Sequence, residues 1–430
     1  MEIELFNDFG GFDPSKLKWD ETIVFPSTRK LNEFGNRVYN RYPARSIFLV
    51  PRATIHSKKL GNVTLNVLDP FMGSGTTAVE SSIQNCNIYG TEMDPFARLI
   101  AEVSIFRFNA KELEKINTLF NEIIENWNDY PIDRSLYPNL NNIEYWFDEN
   151  IFNDLLRLKS YLYHNIATPK FFKFFQITFA DCIKPASKME RQSTKPYISA
   201  KYKKEIKPVI ESFKYSFNAH LNALKQYKLL EEHNSENVIN WLGSDATNFN
   251  TVKEIIDIAI TSPPYLNAFD YTQIIKIESA WVGTLQNDDI IKLRSIQVGN
   301  EKRKDNKIDI FIENLFQPYY TAIVDQGELE NKNFTKTAKT CLSYFNDIRN
   351  NLLCVKATLK KGGEYHMIIG DNVIKKVEIS THRLIAEIAK EIGFEWFGYY
   401  KYVIKDHRTS IPRMDNGGKI KYEYVLMLRK

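Results

Sequence analysis

A chain of 430 residues with 43% hydrophobic and 26% charged residues can bury a large core, which excludes a disordered or fibrous protein. A net charge of +4 permits nucleic acid as a partner without demanding it. The four cysteines (Cys86, Cys182, Cys341, Cys354) are scattered with no CxxC pair; this argues against a structural zinc site and fits a reduced intracellular compartment.

The opening MEIELFNDFGGFDP is acidic and lacks a long apolar run, so it does not read as a signal peptide. No stretch reaches the apolar length of a membrane-spanning helix. Residues 1–60 are mixed, punctuated by Pro14, Pro26, Pro43 and Pro51. From 63 to 105 the chain alternates: VTLNVLD predicts a strand, TTAVESSIQN a helix, CNIYGTEMD a second strand and PFARLIAEVS another helix. That rhythm predicts a parallel α/β sheet. Residues 106–235 read as a helical insertion, with apolar residues at three- and four-residue spacing in KELEKINTLFNEIIENW and ENIFNDLLRLKSYLYHNI. Within it, residues 184–214 hold nine Lys/Arg against three Glu, interleaved with Tyr197, Tyr202 and Phe213.

The strands resume with NVINWLGSDATNF and IIDIAITSPPY, after which 284–340 reads as a polar, irregular excursion. NDIRNNLLCVKATLKKGG predicts a helix with a glycine stop, EYHMIIGDN a strand, STHRLIAEIAKEIGF a helix, and EWFGYYKYVI and YEYVLMLRK two final strands. The simplest organisation is one α/β core, with residues 1–105 as its first half, the insertion at 106–235, and residues 236–430 as its second half.

Two segments carry chemistry. In VLDPFMGSGTTAVE, Gly73 and Gly75 sit between a strand and a helix, where glycine lets backbone N–H groups approach a ligand closely. Glu92, 19 residues after Gly73, closes the next strand, where a carboxylate can accept from ribose hydroxyls. The spacing suits any nucleoside cofactor, dinucleotide or S-adenosylmethionine alike.

The second is TSPPY, where a run of β-branched residues ends in Ser262-Pro263-Pro264-Tyr265. Two prolines force a rigid, extended exit that cannot donate hydrogen bonds. Such a corner at the carboxyl end of a strand faces the same crevice as the glycine loop. Its carbonyl and the Ser262 hydroxyl are acceptors suited to an exocyclic amine, whose lone pair they localise and aim at a sulfonium methyl. Tyr265 would stack on a base swung out of its duplex.

DPFMGSGTT and TSPPY resemble the cofactor and catalytic motifs of the S-adenosylmethionine-dependent DNA amino-methyltransferases. The resemblance implies a Rossmann-like methyltransferase sheet, mostly parallel with a C-terminal antiparallel hairpin strand. It implies that Asp69, Pro70, Phe71, Gly73, Gly75, Thr76 and Thr77 surround S-adenosylmethionine, with Glu92 on its ribose. Pro95 or Phe96 is expected against the adenine, and Asp245 near the adenine or the target. RYPARSIFLVP, with Tyr42 and Pro43, resembles the segment that closes over the methionine end. Ser262, Pro263, Pro264 and Tyr265 are the implied catalytic corner. Serine at its first position is typical of cytosine-N4 enzymes, and aspartate of many adenine-N6 enzymes. The implied activity is site-specific methylation of double-stranded DNA, with a cognate restriction endonuclease as a companion.

The insertion departs from the common arrangements, so the segment that reads DNA stays open. Lys188, Arg191, Lys195, Lys201, Lys203 and Lys204 are candidates for phosphate contact, as is Arg294 in KLRSIQVGNEKRKDNK. His366, His382 and His407 lack a partner pattern and are expected to be structural, and a plain hairpin loop is the expectation for Arg408 and Ser410.

Overall fold

The computed structural model describes residues 19–25, 42, 46–59, 63–190, 193, 195–201, 204–228, 238–250, 253–266, 270–303, 307–404 and 421–430. Pro43, Arg191, Lys203, His407, Arg408 and Ser410 lie outside them. Ten strands are described: β1 (Glu21–Ile23), β2 (Asn66–Asp69), β3 (Asn87–Thr91), β4 (Ile239–Gly243), β5 (Ile256–Thr261), β6 (Leu359–Gly370), β7 (Asn372–Ile374), β8 (Val377–Ile379), β9 (Glu395–Val403) and β10 (Tyr422–Arg429). Eight form one sheet in the order β1-β9-β10-β6-β5-β2-β3-β4. Only β10 runs against its neighbours, pairing antiparallel with β6 and β9. This is the expected Rossmann-like sheet with its antiparallel terminal strand.

The order places the ligand crevice. From β2 the sheet grows outward through β3 and β4, then returns to the other side of β2 with β5 and β6. The chain leaving β2 and the chain leaving β5 therefore diverge over a topological switch point, where open α/β sheets bind ligands. These are the glycine loop and the proline corner. β5, with sequence IDIAIT, is buried along almost its whole length, as a central parallel strand covered on both faces must be.

The loop after β2 depends on glycine. Gly75 is the N-cap of the Thr76–Ile83 helix at φ +86°, in the left-handed region. A Cβ there would lie 2.9 Å from both Cα and Cβ of Ala101, on the Pro95–Ser104 helix. Gly75→Ala is thus expected to lower the free energy of unfolding by at least about 2 kcal/mol, the sum of left-handed strain and overpacking against backbone. A free energy of unfolding from denaturant titration within about 0.5 kcal/mol of wild type would refute this role.

The insertion is helical as expected. Its described helices, Ala110–Asn126, Glu149–Asn165, Pro169–Ala186 and Val209–Lys228, share one apolar core. That core also takes in Phe96, Leu99 and Ile100 of the Pro95–Ser104 helix, and Ile274, Ile277 and Trp281 of the Tyr271–Val282 helix. The insertion therefore packs directly on the helix that follows the proline corner.

The excursion at 284–340 is corrected. It holds the helices Asn287–Ile296 and Ile310–Leu329 and the start of Thr335–Thr358. Pro318 and Gly327 sit inside the second of these and blur its helical period in the sequence. The expected glycine stop also moves: the Thr335–Thr358 helix ends before β6, and Gly362 and Gly363 lie within that strand.

Candidate active site

Glu92 follows β3 and is fixed by two backbone donors. Gly73 N–H donates to its Oε2 at 2.7 Å and Asp94 N–H to its Oε1 at 2.9 Å. One donor comes from the glycine loop, so the loop and the carboxylate are a single rigid unit. Burial pushes the Glu92 carboxyl up to about 7, against the pull of those hydrogen bonds, and the neighbouring Asp94 carboxylate adds to the rise. Tyr42 lies across Gly73, where a Cβ would stand 3.6 Å from its ring. Burial raises the Tyr42 phenol well above its ordinary range, with the carboxylates of Glu92 and Asp94 adding to it.

Asp69 ends β2 and is buried. Its Oδ1 accepts from Phe71 N–H at 3.0 Å and from the Thr261 hydroxyl at 2.5 Å. Burial raises its carboxyl to about 6, with the bonds from Thr261, Thr77 and Phe71 opposing. Asp94 caps the Pro95–Ser104 helix, accepting from the Phe96 and Ala97 N–H groups, with Pro95 in the first turn.

A cavity opens over these groups. Tyr42, Pro70, Phe71 and Gly73 line it from the glycine-loop side, and Thr91, Glu92, Met93 and Asp94 from the end of β3. Ser244, Asp245 and Ala246 come from the end of β4, Ser262 and Pro264 from the corner, and Tyr271 and Thr272 from the helix beyond it. Ile296, Gln297 and Val298 close the remaining wall. Asp245 Oδ1 takes both donors of Thr247, at 2.8 Å from the amide and 2.7 Å from the hydroxyl. The donor set fits a nucleoside: a carboxylate preset by amides for a diol, an aromatic ring, a side-chain-free glycine and a second carboxylate.

Two arginines brace the walls. Arg98 lies 4.7 Å over the Trp241 ring and donates to the carbonyls of Glu92 and Gly243, tying the exits of β3 and β4 together. Arg303 pairs with the buried Asp347 at 2.6 Å and donates to the carbonyl of Ile296. The segment around 292–307, expected as a DNA contact, thus supplies a cavity wall and its support.

Several expected site residues stand elsewhere. Phe96 is fully buried in the insertion's core, and Pro95 is an exposed helix-start residue; Met93 and Asp94 occupy the wall in their place. Asp69, Gly75, Thr76 and Thr77 support the loop without lining the cavity, and Pro263 is buried behind it. Tyr265 is not part of the lining either; its phenol donates to Glu423 Oε1 at 2.5 Å.

Lys188, Lys204 and Arg294 have internal partners that are described. Lys188 pairs with Asp148 at 3.3 Å. The Lys204 ammonium donates to the carbonyls of Lys184 and Ser187 at the end of the Pro169–Ala186 helix. Arg294 pairs with Asp270, the N-cap of the Tyr271–Val282 helix, at 2.5 Å. Lys195, Tyr197 and Lys201 are exposed. His366 faces Glu364 at 3.0 Å and His382 faces Asp371 at 2.7 Å, in keeping with structural roles. Among the described residues there is no group of three or more His, Cys, Asp or Glu able to hold a metal, and no helix long and apolar enough to cross a membrane.

No family model matches the chain. It is similar to curated type II methyltransferases. M.MvaI of Kocuria varians is 23% identical over 384 residues, covering 85% of this chain and 83% of that protein. M.BsoBI of Geobacillus stearothermophilus is 25% identical over 406 residues, covering 82% of this chain and 77% of that protein. M.MjaII of Methanocaldococcus jannaschii is 34% identical over 101 residues, covering 24% of this chain and 18% of that protein. Among solved structures, an S-adenosylmethionine-dependent methyltransferase from Methanosarcina mazei aligns over 88% of this chain and 96% of its own, at 7% identity and a TM-score of 0.29.

Proposed function

We propose that this chain, a relative of the type II methyltransferases over most of its length, is an S-adenosylmethionine-dependent DNA methyltransferase acting on the exocyclic N4 amine of cytosine. One observation carries the reading: a ribose-type carboxylate, Glu92, and the Ser262–Pro264 corner share one cavity at the switch point of the sheet. The similarity to curated type II methyltransferases supports the same class.

The residues then divide by role. Glu92 accepts from the ribose hydroxyls, Met93 and Phe71 pack beside the adenine, Asp245 accepts from its amino group, and Tyr42 covers the methionine end. When bound, S-adenosylmethionine supplies a sulfonium methyl that an amine takes by in-line displacement, the electron pair of the broken bond returning to sulfur. Ser262 and the corner's backbone carbonyl accept from the target amine. They draw its lone pair out of conjugation with the ring and hold it in line. The amine proton passes to solvent water after transfer, and no covalent link to the protein is required. Tyr271 and Gln297 flank the space left for a base swung from the duplex. Lys195, with Tyr197 close by in the chain, is an exposed group offered to the phosphate backbone.

Serine at the head of the corner is what favours cytosine over adenine. Incubation with methyl-labelled cofactor and duplex DNA, then digestion to nucleosides, is expected to yield N4-methylcytosine. Label found only in N6-methyladenine would overturn the cytosine assignment, and label in tRNA but not duplex DNA would overturn the substrate class. In the cell, the modified motif is expected to protect DNA from a companion endonuclease.

A further inference from the structure

The proline corner is fastened at both ends to carboxylates from other strands. At its start, Thr261 closes β5 and donates its hydroxyl to Asp69, which closes β2. At its far end, the Tyr265 phenol donates to Glu423 of β10, and the other oxygen of Glu423 accepts from the Tyr402 phenol. Glu423 is paired in register with Gly370 of β6 and with Tyr402 of β9. Tyr265 thus reaches across β6 at a position that carries no side chain.

We propose that Glu423, acting through Tyr265, and Asp69, acting through Thr261, are positioning residues that set the Ser262–Pro264 corner for reaction. The inference rests on the methyl-transfer reading of that corner. Proline fixes a dihedral angle but not the placement of the corner above the sheet. Acceptors that must hold an amine lone pair in line tolerate only about 0.5 Å of misplacement. Fastening the two ends to strands on opposite sides of β5 supplies that placement. Thr261, Tyr265 and Glu423 all lie outside the cavity lining, so the cofactor wall stands without their hydroxyls or charges.

Tyr265→Phe separates fastening from base stacking, since it keeps the ring and removes only the hydroxyl. Tyr265→Phe and Glu423→Gln are each expected to lower kcat about 10- to 100-fold, with the Kd for S-adenosylhomocysteine within twofold of wild type. The double variant is expected to be no slower than the slower single one. Thr261→Val is expected to lose rate and Thr261→Ser to restore it. Amide hydrogen exchange, which needs no turnover, is expected to quicken across residues 261–271 in both Tyr265→Phe and Glu423→Gln and to stay unchanged across 69–76 and 92–94. Wild-type exchange at 261–271 in both variants, rates within twofold of wild type, or additive losses in the double variant would overturn the proposal. Failure of the wild-type protein to methylate any nucleic acid would overturn the functional reading instead, and the exchange measurement would still decide the fastening.

Discussion

Ser262→Ala is expected to lower the single-turnover methylation rate by about two to three orders of magnitude and to leave S-adenosylhomocysteine affinity within twofold. The rate loss follows from what the hydroxyl does in the transition state. An amine conjugated to a ring becomes nucleophilic only as its lone pair leaves the ring plane, and its N–H groups then need acceptors already in place. Losing one preorganised hydrogen bond at a reacting atom typically costs 10²–10³ in rate. The fold should be indifferent, because β5 and its ladder end at Thr261 and Ser262 is only half-buried. The cofactor contacts should be equally indifferent, because Glu92 and the glycine loop are held by each other rather than by the corner. A loss below about threefold would remove Ser262 from the chemistry. A parallel loss of cofactor affinity would instead assign it to the cofactor site. Tyr265→Phe should fall between wild type and Ser262→Ala, since it frees the corner from Glu423 without deleting the Ser262 hydroxyl.

Local physics made the core of this arrangement legible before any coordinates. The glycine loop was readable because Gly75 occupies a left-handed cap that other residues resist, and β5 because a strand covered on both faces is apolar throughout. Glu92 was readable from spacing, since a short helix and one strand separate it from the loop. The failures have a different origin. Pro95 and Phe96 were expected at the cavity, but Asp94 starts the helix, and one residue into it Phe96 already faces the insertion's core. Which way a side chain points after a strand is set by where the next helix begins, to within a single residue. Arg294 and Lys204 looked like free cations because Asp270 and the carbonyls of Lys184 and Ser187 meet them only through folding. The wall of Ile296, Gln297 and Val298 had no motif to announce it. The partner of Tyr265 stands 158 residues further along the chain, and a single long-range hydrogen bond leaves no pattern in a sequence.

The pH dependence of cofactor binding should be set by Glu92, and Glu92→Gln should both weaken binding and flatten that dependence. The Glu92 carboxyl is raised from its ordinary 4.5 to about 7, chiefly by burial. Ribose hydroxyls donate, so only the ionised carboxylate accepts them fully, and binding must expel whatever proton Glu92 holds. Affinity for S-adenosylhomocysteine should therefore tighten as pH rises from 6 through about 7 and level off near 8. Removing the charge should cost about 1.5–3 kcal/mol, the range of a hydrogen bond to a charged group, or roughly a 10- to 100-fold rise in Kd at pH 8. Comparing wild type with Glu92→Gln at each pH cancels the ligand's own titration. Stability should move the other way. A carboxyl raised in the folded state binds a proton there that the unfolded chain has lost, so stability falls as pH climbs between about 4.5 and 7. Asp69 and Asp94, each raised to about 6 by burial, add the same sign over the lower part of that window. The ligand-free protein should thus be most stable in mild acid, where it binds cofactor worst. Glu92→Gln should narrow the stability difference between pH 5 and pH 8 while abolishing most of the affinity difference between pH 6 and pH 8. Calorimetric titrations across that range, together with denaturant midpoints for both proteins, decide it. An unchanged pH slope in the variant would show that a carboxyl other than Glu92 controls the site.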